Sequence, residues 1–220
     1  MRLYLSSYRT AQDMERLLDL AGRSGRAVVI SNAVDLVPAA ERQAYARKVH
    51  DPVAELRQAG LTASHLDLRD YFGMAEALER DLAQVGLVWA VGGNAFLLRR
   101  ALRQSGLDDI LHRRLAEDSL VYGGWSAGAC VAGSTLRGLH LMDDPQALAP
   151  GYDPEVVWEG MGLIDFAIVP HFASAHPEAA AASQAAAYLA DNAIAYRTLC
   201  DGEAILRQGE RVEVVGAPAA

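Results

Sequence analysis

The stretch Leu120-Val121-Tyr122-Gly123-Gly124-Trp125-Ser126-Ala127-Gly128-Ala129-Cys130 passes from an apolar run, through paired glycines, into small helix-forming residues. Small residues two before and two after a serine, between a strand and a helix, are what a sharp strand-to-helix turn requires. Such a turn lifts the serine hydroxyl out of the sheet. Ser126 would then stand at a helix amino terminus, with the Ala127 N–H directed at a developing oxyanion. The pentapeptide Gly124-Trp125-Ser126-Ala127-Gly128 is a weak motif by itself, and its setting gives it weight. The bland alternative is a tight glycine turn with a capping serine.

The flanking chain has the rhythm of an α/β protein. Leu87-Val88-Trp89-Ala90-Val91 and Ala27-Val28-Val29-Ile30 are continuous apolar runs, as expected of strands buried on both faces. Residues 2–6 and 61–68 suit two further strands. Thr10-Ala11-Gln12-Asp13 predicts a capping box opening a helix through Leu17, Leu18 and Ala21 to Gly22. Pro38 opens a helical segment that reaches Gln58 and stops at Gly60, and residues 74–83 suit a third helix. Another helix follows Gly92-Gly93-Asn94. Downstream, residues 166–169 form a strand ending at Pro170-His171, and an alanine-rich helix runs from Pro177 to Leu189. Residues 196–199, 204–207 and 212–215 suit short strands, the last two joined as a hairpin through Gln208-Gly209.

This pattern predicts an α/β fold, a mainly parallel sheet flanked by helices on both faces with a C-terminal hairpin. With no repeat and no linker, residues 1–220 suit one domain. Residues 142–162, rich in Asp, Pro and Gly, are the least regular stretch and are expected as a long excursion near the site.

A net charge of -8 argues against a nucleic-acid surface, which needs clustered Lys and Arg. No run approaches the roughly 18 apolar residues of a membrane span, so a cytoplasmic protein is expected. Cys130 and Cys200 lie far apart and fit no metal pattern, and two buried free thiols are the simple expectation. No cofactor is implied.

In parallel sheets, ligands bind beyond the carboxyl ends of the strands. Four predicted strands end in chemically loaded turns: Gly92-Gly93-Asn94, the Ser126 turn, Pro170-His171-Phe172 and Asp201-Gly202. If all belong to one sheet, they share one edge. A serine, a histidine and a carboxylate there are what acyl transfer needs. Gly93 would give a second oxyanion N–H, and His171 would serve as general base. His50, His65, His112, His140 and His176 lack the strand-end setting. His171 and His176 are not at the i,i+4 spacing of a helical zinc site, so no metal is expected.

These pieces together resemble the dipeptidase E (alpha-aspartyl dipeptidase) family of serine peptidases, to which cyanophycinases are related. The resemblance rests on Val91-Gly92-Gly93-Asn94, Gly124-Trp125-Ser126-Ala127-Gly128-Ala129 followed by Val131-Ala132-Gly133, Val169-Pro170-His171-Phe172, and Leu199 with Asp201-Gly202. It covers residues 87–216; the earlier third matches only in strand–helix rhythm. It implies a class I glutamine amidotransferase-like fold with serine in place of cysteine, Ser126 as nucleophile and His171 as base. It places the third catalytic residue on Asp201, where the family usually has glutamate, and Asp143 and Asp144 remain rivals for that role. Gly93 and Ala127 would form the oxyanion hole, and Asn94, Trp125 and Phe172 would contact substrate.

The substrate implied is a dipeptide or short peptide, with the oligomeric state open. A cyanophycinase-like amide hydrolase and a non-catalytic binding protein are the competing readings. Aspartyl dipeptidases are similar to one another in carrying an arginine on the helix after Pro-His-Phe, where this chain has Ala180-Ala181-Ala182-Ser183-Gln184-Ala185-Ala186. No Lys or Arg lies between Arg137 and Arg197, whereas eight acidic residues do. A desolvated aspartate side chain without a cation is costly, so strict N-terminal Asp specificity is not expected unless Arg99, Arg100 or Arg137 folds in. Trp158, Met161 and Phe172 would suit a bulky uncharged residue, or the core.

Overall fold

The apolar runs divide their side chains between two cores. In the strand Val85–Ala90, Leu87 and Trp89 join Tyr4, Val29 and Val121 in one cluster. Val88 and Ala90 join Leu3, Leu5, Ile30 and Tyr122 in another. A strand that must satisfy two cores reads as a continuous apolar run rather than an alternating one. The computed structural model describes residues 1–10, 13–22 and 25–217.

The strands are β1 (Arg2–Ser6), β2 (Arg26–Ile30), β3 (Thr62–Leu66), β4 (Val85–Ala90), β5 (Val121–Trp125), β6 (Ala167–Val169), β7 (Tyr196–Thr198), β8 (Glu203–Gln208) and β9 (Arg211–Gly216). Seven make one sheet in the order β3-β2-β4-β5-β1-β8-β9. The first five are parallel, and β8 and β9 add the antiparallel hairpin.

Helices α1 (Met14–Ala21), α2 (Ala39–Lys48) and α3 (Pro52–Gln58) precede β3, and α4 (Ala75–Leu82) precedes β4. Helices α5 (Ala95–Ser105) and α6 (Leu107–Ala116) lie between β4 and β5, α7 (Ala127–Cys130) follows β5, and α8 (Ala179–Asp191) precedes β7. Leu17 of α1 and Leu56 of α3 cover one face of the sheet. Leu78 of α4, Phe96 of α5, Leu111 of α6 and Ala129 of α7 cover the other.

Four local expectations are corrected. The cap of α1 is Asp13, whose carboxylate accepts the Arg16 N–H at 3.2 Å, not Thr10; Ala11 and Gln12 of the proposed box lie outside the described residues. The helical segment 38–58 is two helices, because Asp51 caps the Val53 and Ala54 N–H groups and Pro52 starts a new first turn. Helix α6 was not separated from its predecessor, although Gly106 ends α5 in a left-handed conformation (φ 74°) and Leu107, Ile110 and Leu111 renew the helical period. Strands β6 and β7 form their own parallel ladder rather than extending the main sheet. Of the two cysteines, both free, Cys130 is buried and Cys200 only half-buried.

The excursion at residues 142–162 contains no helix or strand and is pinned from beneath. The Arg100 guanidinium, on a residue 1% exposed, donates to the carbonyls of Pro145 and Glu155, each at 2.9 Å.

The glycines around Ser126 are dictated by β4. A Cβ on Gly124 would lie 2.5 Å from the Ala90 carbonyl oxygen, and one on Gly128 would press into the same atom. Gly86, with nothing nearer than 3.8 Å, has no such neighbour. Gly128→Ala is therefore expected to lower stability in urea unfolding by about 1–3 kcal/mol or more, as overpacking does. Gly86→Ala should stay within about 1 kcal/mol of the parent. Equal stability of the two variants would remove steric closeness as the reason for Gly128.

Candidate active site

Ser126 occupies a conformation that few non-glycine residues adopt, φ 49° and ψ −117°. Strain of this kind costs about 1–3 kcal/mol and persists where the surroundings over-determine it. Here the Ser126 N–H is shared between the carbonyls of Ser6 and Ser7 at 3.1 Å each, while its own carbonyl accepts the N–H groups of Ala129 and Cys130 at 2.9 Å. Gly92 is pressed against it, since a Cβ there would lie 3.2 Å from the Ser126 Cβ. Gly93 has φ +135°, a region open in practice only to glycine. Among the described residues, the N–H groups of Gly93 and Ala127 donate to no protein acceptor.

His171 is 1% exposed and likewise has positive φ, 59°. Its Nδ1 lies 2.8 Å from Asp201 Oδ1. The hub of this arrangement is Ser7, fully buried at the end of β1. Its hydroxyl accepts the His171 backbone N–H at 2.8 Å and donates to Asp201 Oδ1 at 2.8 Å. The Asp201 N–H in turn donates to Ser174 Oγ at 2.7 Å. The small ladder thus delivers both side chains, because β6 leads through Pro170 to His171 and β7 leads into the Asp201 turn. Nothing in the local pattern singles out Ser7; only its place at the end of β1, an interior strand beside β5, could have raised it.

Burial pulls the His171 imidazole below its ordinary value, against the opposing hydrogen bond and charge of Asp201. Burial favours the neutral ring, and in the tautomer in which Nδ1 donates to the carboxylate, Nε2 carries the lone pair.

Asp143 and Asp144 are placed elsewhere. Asp143 Oδ2 accepts the Ala95 N–H at the start of α5, and Asp144 accepts the Gln146 N–H. Burial pushes the Asp143 carboxyl up to about 7, the Ala95 N–H works against this, and Glu178 adds to it.

A cavity of about 720 Å³ opens over these groups, with Ser126, His171, Gly93, Asp143 and Glu178 in its wall. Trp125 lines it as expected, beside Tyr8, Tyr45 and Leu66. Asn94 is instead a structural cap: its Oδ1 accepts the Leu97 N–H and its Nδ2 donates to the Asp144 carbonyl, both at 2.9 Å. Phe172 lies outside the cavity wall, its N–H bound to the Leu199 carbonyl at 3.0 Å. Met161 is buried in the core and Trp158 packs against it, edge-on to Phe96. Three histidines without a strand-end setting, His50, His65 and His176, also line the cavity, because loops and a strand that are distant in sequence converge there.

The three arginines considered for the cavity are engaged away from it. Arg99 pairs with Asp108 at 2.6 Å, Arg100 holds the excursion, and Arg137 lies over the Trp158 ring. Arg42 of α2 lines the cavity instead, and its guanidinium is already paired at 2.9 Å with Asp35, whose side chain is 2% exposed.

A strained serine, an imidazole and a carboxylate grouped at the carboxyl edge of a parallel sheet are the makeup of a serine hydrolase. Comparison with known proteins narrows the class. The profile of peptidase family S51 matches residues 7–215; the chain belongs to that family, and with it to the serine peptidases. It is 28% identical to a peptidase E of Streptomyces coelicolor over 212 residues, 91% of this chain and 83% of the relative. It is 29% identical to a peptidase E of Pasteurella multocida over 178 residues, 78% of this chain and 68% of the relative. A crystal structure from Listeria monocytogenes EGD-e, assigned as a peptidase E protein, superposes with a TM-score of 0.79 over 98% of both chains at 19% identity. Among the described residues, no helix is long and apolar enough to cross a membrane.

The elevated Asp143 carboxyl has a consequence for stability. Between about pH 4, where an unfolded aspartate ionises, and about 7, the folded chain binds a proton that the unfolded chain has lost. Its contribution is therefore complete below the unfolded value and declines as pH rises to the folded one. Asp143→Asn, which keeps an acceptor for the Ala95 N–H, should gain stability relative to the parent above pH 7 and little at pH 4. Urea unfolding at the two pH values measures this, and a gain that does not grow with pH would show that the carboxyl is not raised.

Proposed function

We propose that this peptidase is a serine exopeptidase that hydrolyses dipeptides or short peptides through an acyl-enzyme intermediate. The observation that carries the reading is the 2.8 Å contact of His171 Nδ1 with Asp201, on an imidazole that shares a cavity with an elbow serine. Ser126 Oγ attacks the scissile carbonyl carbon while His171 Nε2 accepts its proton. His171 then returns the proton to the departing amine, and water repeats the sequence on the ester. Asp201 holds the imidazole in the required tautomer and stabilises the imidazolium that forms. The unengaged N–H groups of Ala127 and Gly93 receive the oxyanion. A cavity of this size lies in the range of small-ligand sites, about 300–1,000 Å³, which favours short substrates.

Ser126→Ala should abolish turnover in a protein that remains folded, since loss of a triad member typically costs about 10⁴–10⁶ in rate. His171→Ala should cost nearly as much, and the double variant little more. Asp201→Asn should slow turnover, while Asp144→Asn and Asp143→Asn stay near the parent. Steady-state kinetics, together with labelling by a fluorophosphonate probe, test the set. Near-parental turnover or unchanged labelling of Ser126→Ala would remove the nucleophile.

The proposed specificity is not restricted to an amino-terminal aspartate. A carboxylate entering a partly desolvated pocket needs an opposing cation or several N–H donors. The helix after His171 offers alanine, and the arginine that lines the cavity is committed to Asp35. Measured kcat/KM for Asp-Leu should not exceed the values for Leu-Leu and Ala-Leu. A tenfold preference for Asp-Leu, about 1.4 kcal/mol, would show that Arg42 leaves Asp35 for the substrate. Amino- and carboxyl-blocked peptides in the same panel report which end is read.

A further inference from the structure

Between β6 and α8 the chain doubles back, so that His176 and Glu178 return to His171. The rings of His171 and His176 stack with centroids 3.7 Å apart and planes 9° from parallel. Glu178 Oε2 lies 3.8 Å from His171 Nε2. One ligand atom from each of the three residues lies within 4.8 Å of the other two. All three line the cavity, as does Asp143, whose carboxyl feels the charge of Glu178.

His171 is prepared as a metal ligand by the same contact that prepares it as a base. Donation from Nδ1 to a carboxylate fixes the tautomer and leaves the Nε2 lone pair directed into the cavity, which is how metal-binding imidazoles are commonly oriented. Two imidazole nitrogens and one carboxylate oxygen make a donor set suited to zinc. Three carboxylates nearby, Asp201, Glu178 and Asp143, favour a cation over an anion.

We propose that His171, His176 and Glu178 form an inhibitory site for a first-row divalent cation, zinc foremost, which occupies the Nε2 lone pair of His171. The loss of turnover rests on the proposed function, since it follows from withdrawing the base from Ser126; binding rests on the donor geometry alone. Bond lengths of about 2.0–2.2 Å bring tetrahedral donor atoms to about 3.3 Å from one another, so the three groups must close by about an ångström. Parallel stacked planes cannot share one in-plane ion, so His176 must also turn. Turning gives up the stack on His171, the tilted contact with the Tyr8 ring and the 3.3 Å contact between Nδ1 and the Glu178 N–H, all in a half-buried loop residue. The remaining coordination positions face the cavity, where water or the end of a peptide would compete for them.

Binding is best read on the Ser126→Ala chain, whose donor set is intact, by titrating zinc chloride in a calorimeter or against a chelating dye. One zinc per chain at micromolar concentration is expected, weakened at least about tenfold when His176→Ala or Glu178→Gln is added. In the active chain, zinc should stop turnover and EDTA should restore it. Measured against that variant's own zinc-free turnover, His176→Ala should raise the half-inhibitory zinc concentration by at least about tenfold. Absence of micromolar binding, or binding that neither substitution weakens, overturns the site. Binding as described without loss of turnover overturns its inhibitory role. A chain that binds zinc but hydrolyses no peptide counts against the proposed function and leaves the metal site standing.

Discussion

The Ala90 carbonyl oxygen governs the geometry around Ser126. It lies at the end of β4 in the space where side chains at positions 124 and 128 would otherwise project. With both held as glycine, β5 and the short helix α7 close against β4, and Ser126 is left in a conformation that its own side chain disfavours. The strain is sustained from both sides, by the carbonyls at the end of β1 and by the first turn of α7. Close packing of three adjacent backbones therefore holds Ser126, half-buried, in a strained turn at the cavity wall.

A second constraint joins the small ladder to the main sheet. Strands β6 and β7 are not paired with it, yet His171 and Asp201 are delivered to the same edge. Ser7 does this with one hydroxyl, accepting from the His171 backbone and donating to the Asp201 carboxylate. In a fully buried position such a bridge has no water to replace it, so the two turns are held by a group that touches neither the Ser126 side chain nor the cavity. The Asp201 carboxylate reaches the imidazole directly, at 2.8 Å from Nδ1.

The cavity's electrostatics follow from where its charges are spent. Arg42 is neutralised by Asp35, and the other arginines near the excursion are used in holding it to α5. The acidic groups are less fully compensated: Asp143 has one backbone N–H and is pushed upward by burial, and Glu178 faces His171. The cavity wall therefore carries one arginine already paired with a carboxylate, together with the acidic side chains of Asp143 and Glu178.

Much of this protein was legible in its residues. Apolar runs without alternation specified strands buried on both faces, and the small residues around Ser126 specified the turn, because both are local consequences of sterics. Residues next to Pro170 and before Gly202 identified His171 and Asp201 through their place at strand ends. The cap at Asp13 has a neighbouring rival in Thr10, and the break at Asp51-Pro52 lies inside a segment whose two ends both suit one helix, so neither is decided by local pattern alone. What only the tertiary structure decided is which groups meet. Ser7, Arg42, His50, His65 and His176 carry no signal along the chain; Asn94 and Phe172, expected at the substrate, are placed away from the cavity wall, and Met161 lies in the core, one of the two places its apolar character suits. Each is settled by how elements distant in sequence converge, Ser7 and His171 being 164 positions apart. Spacing along a sequence encodes the pitch of a helix or strand; it does not encode the distance between elements that a shared core brings together.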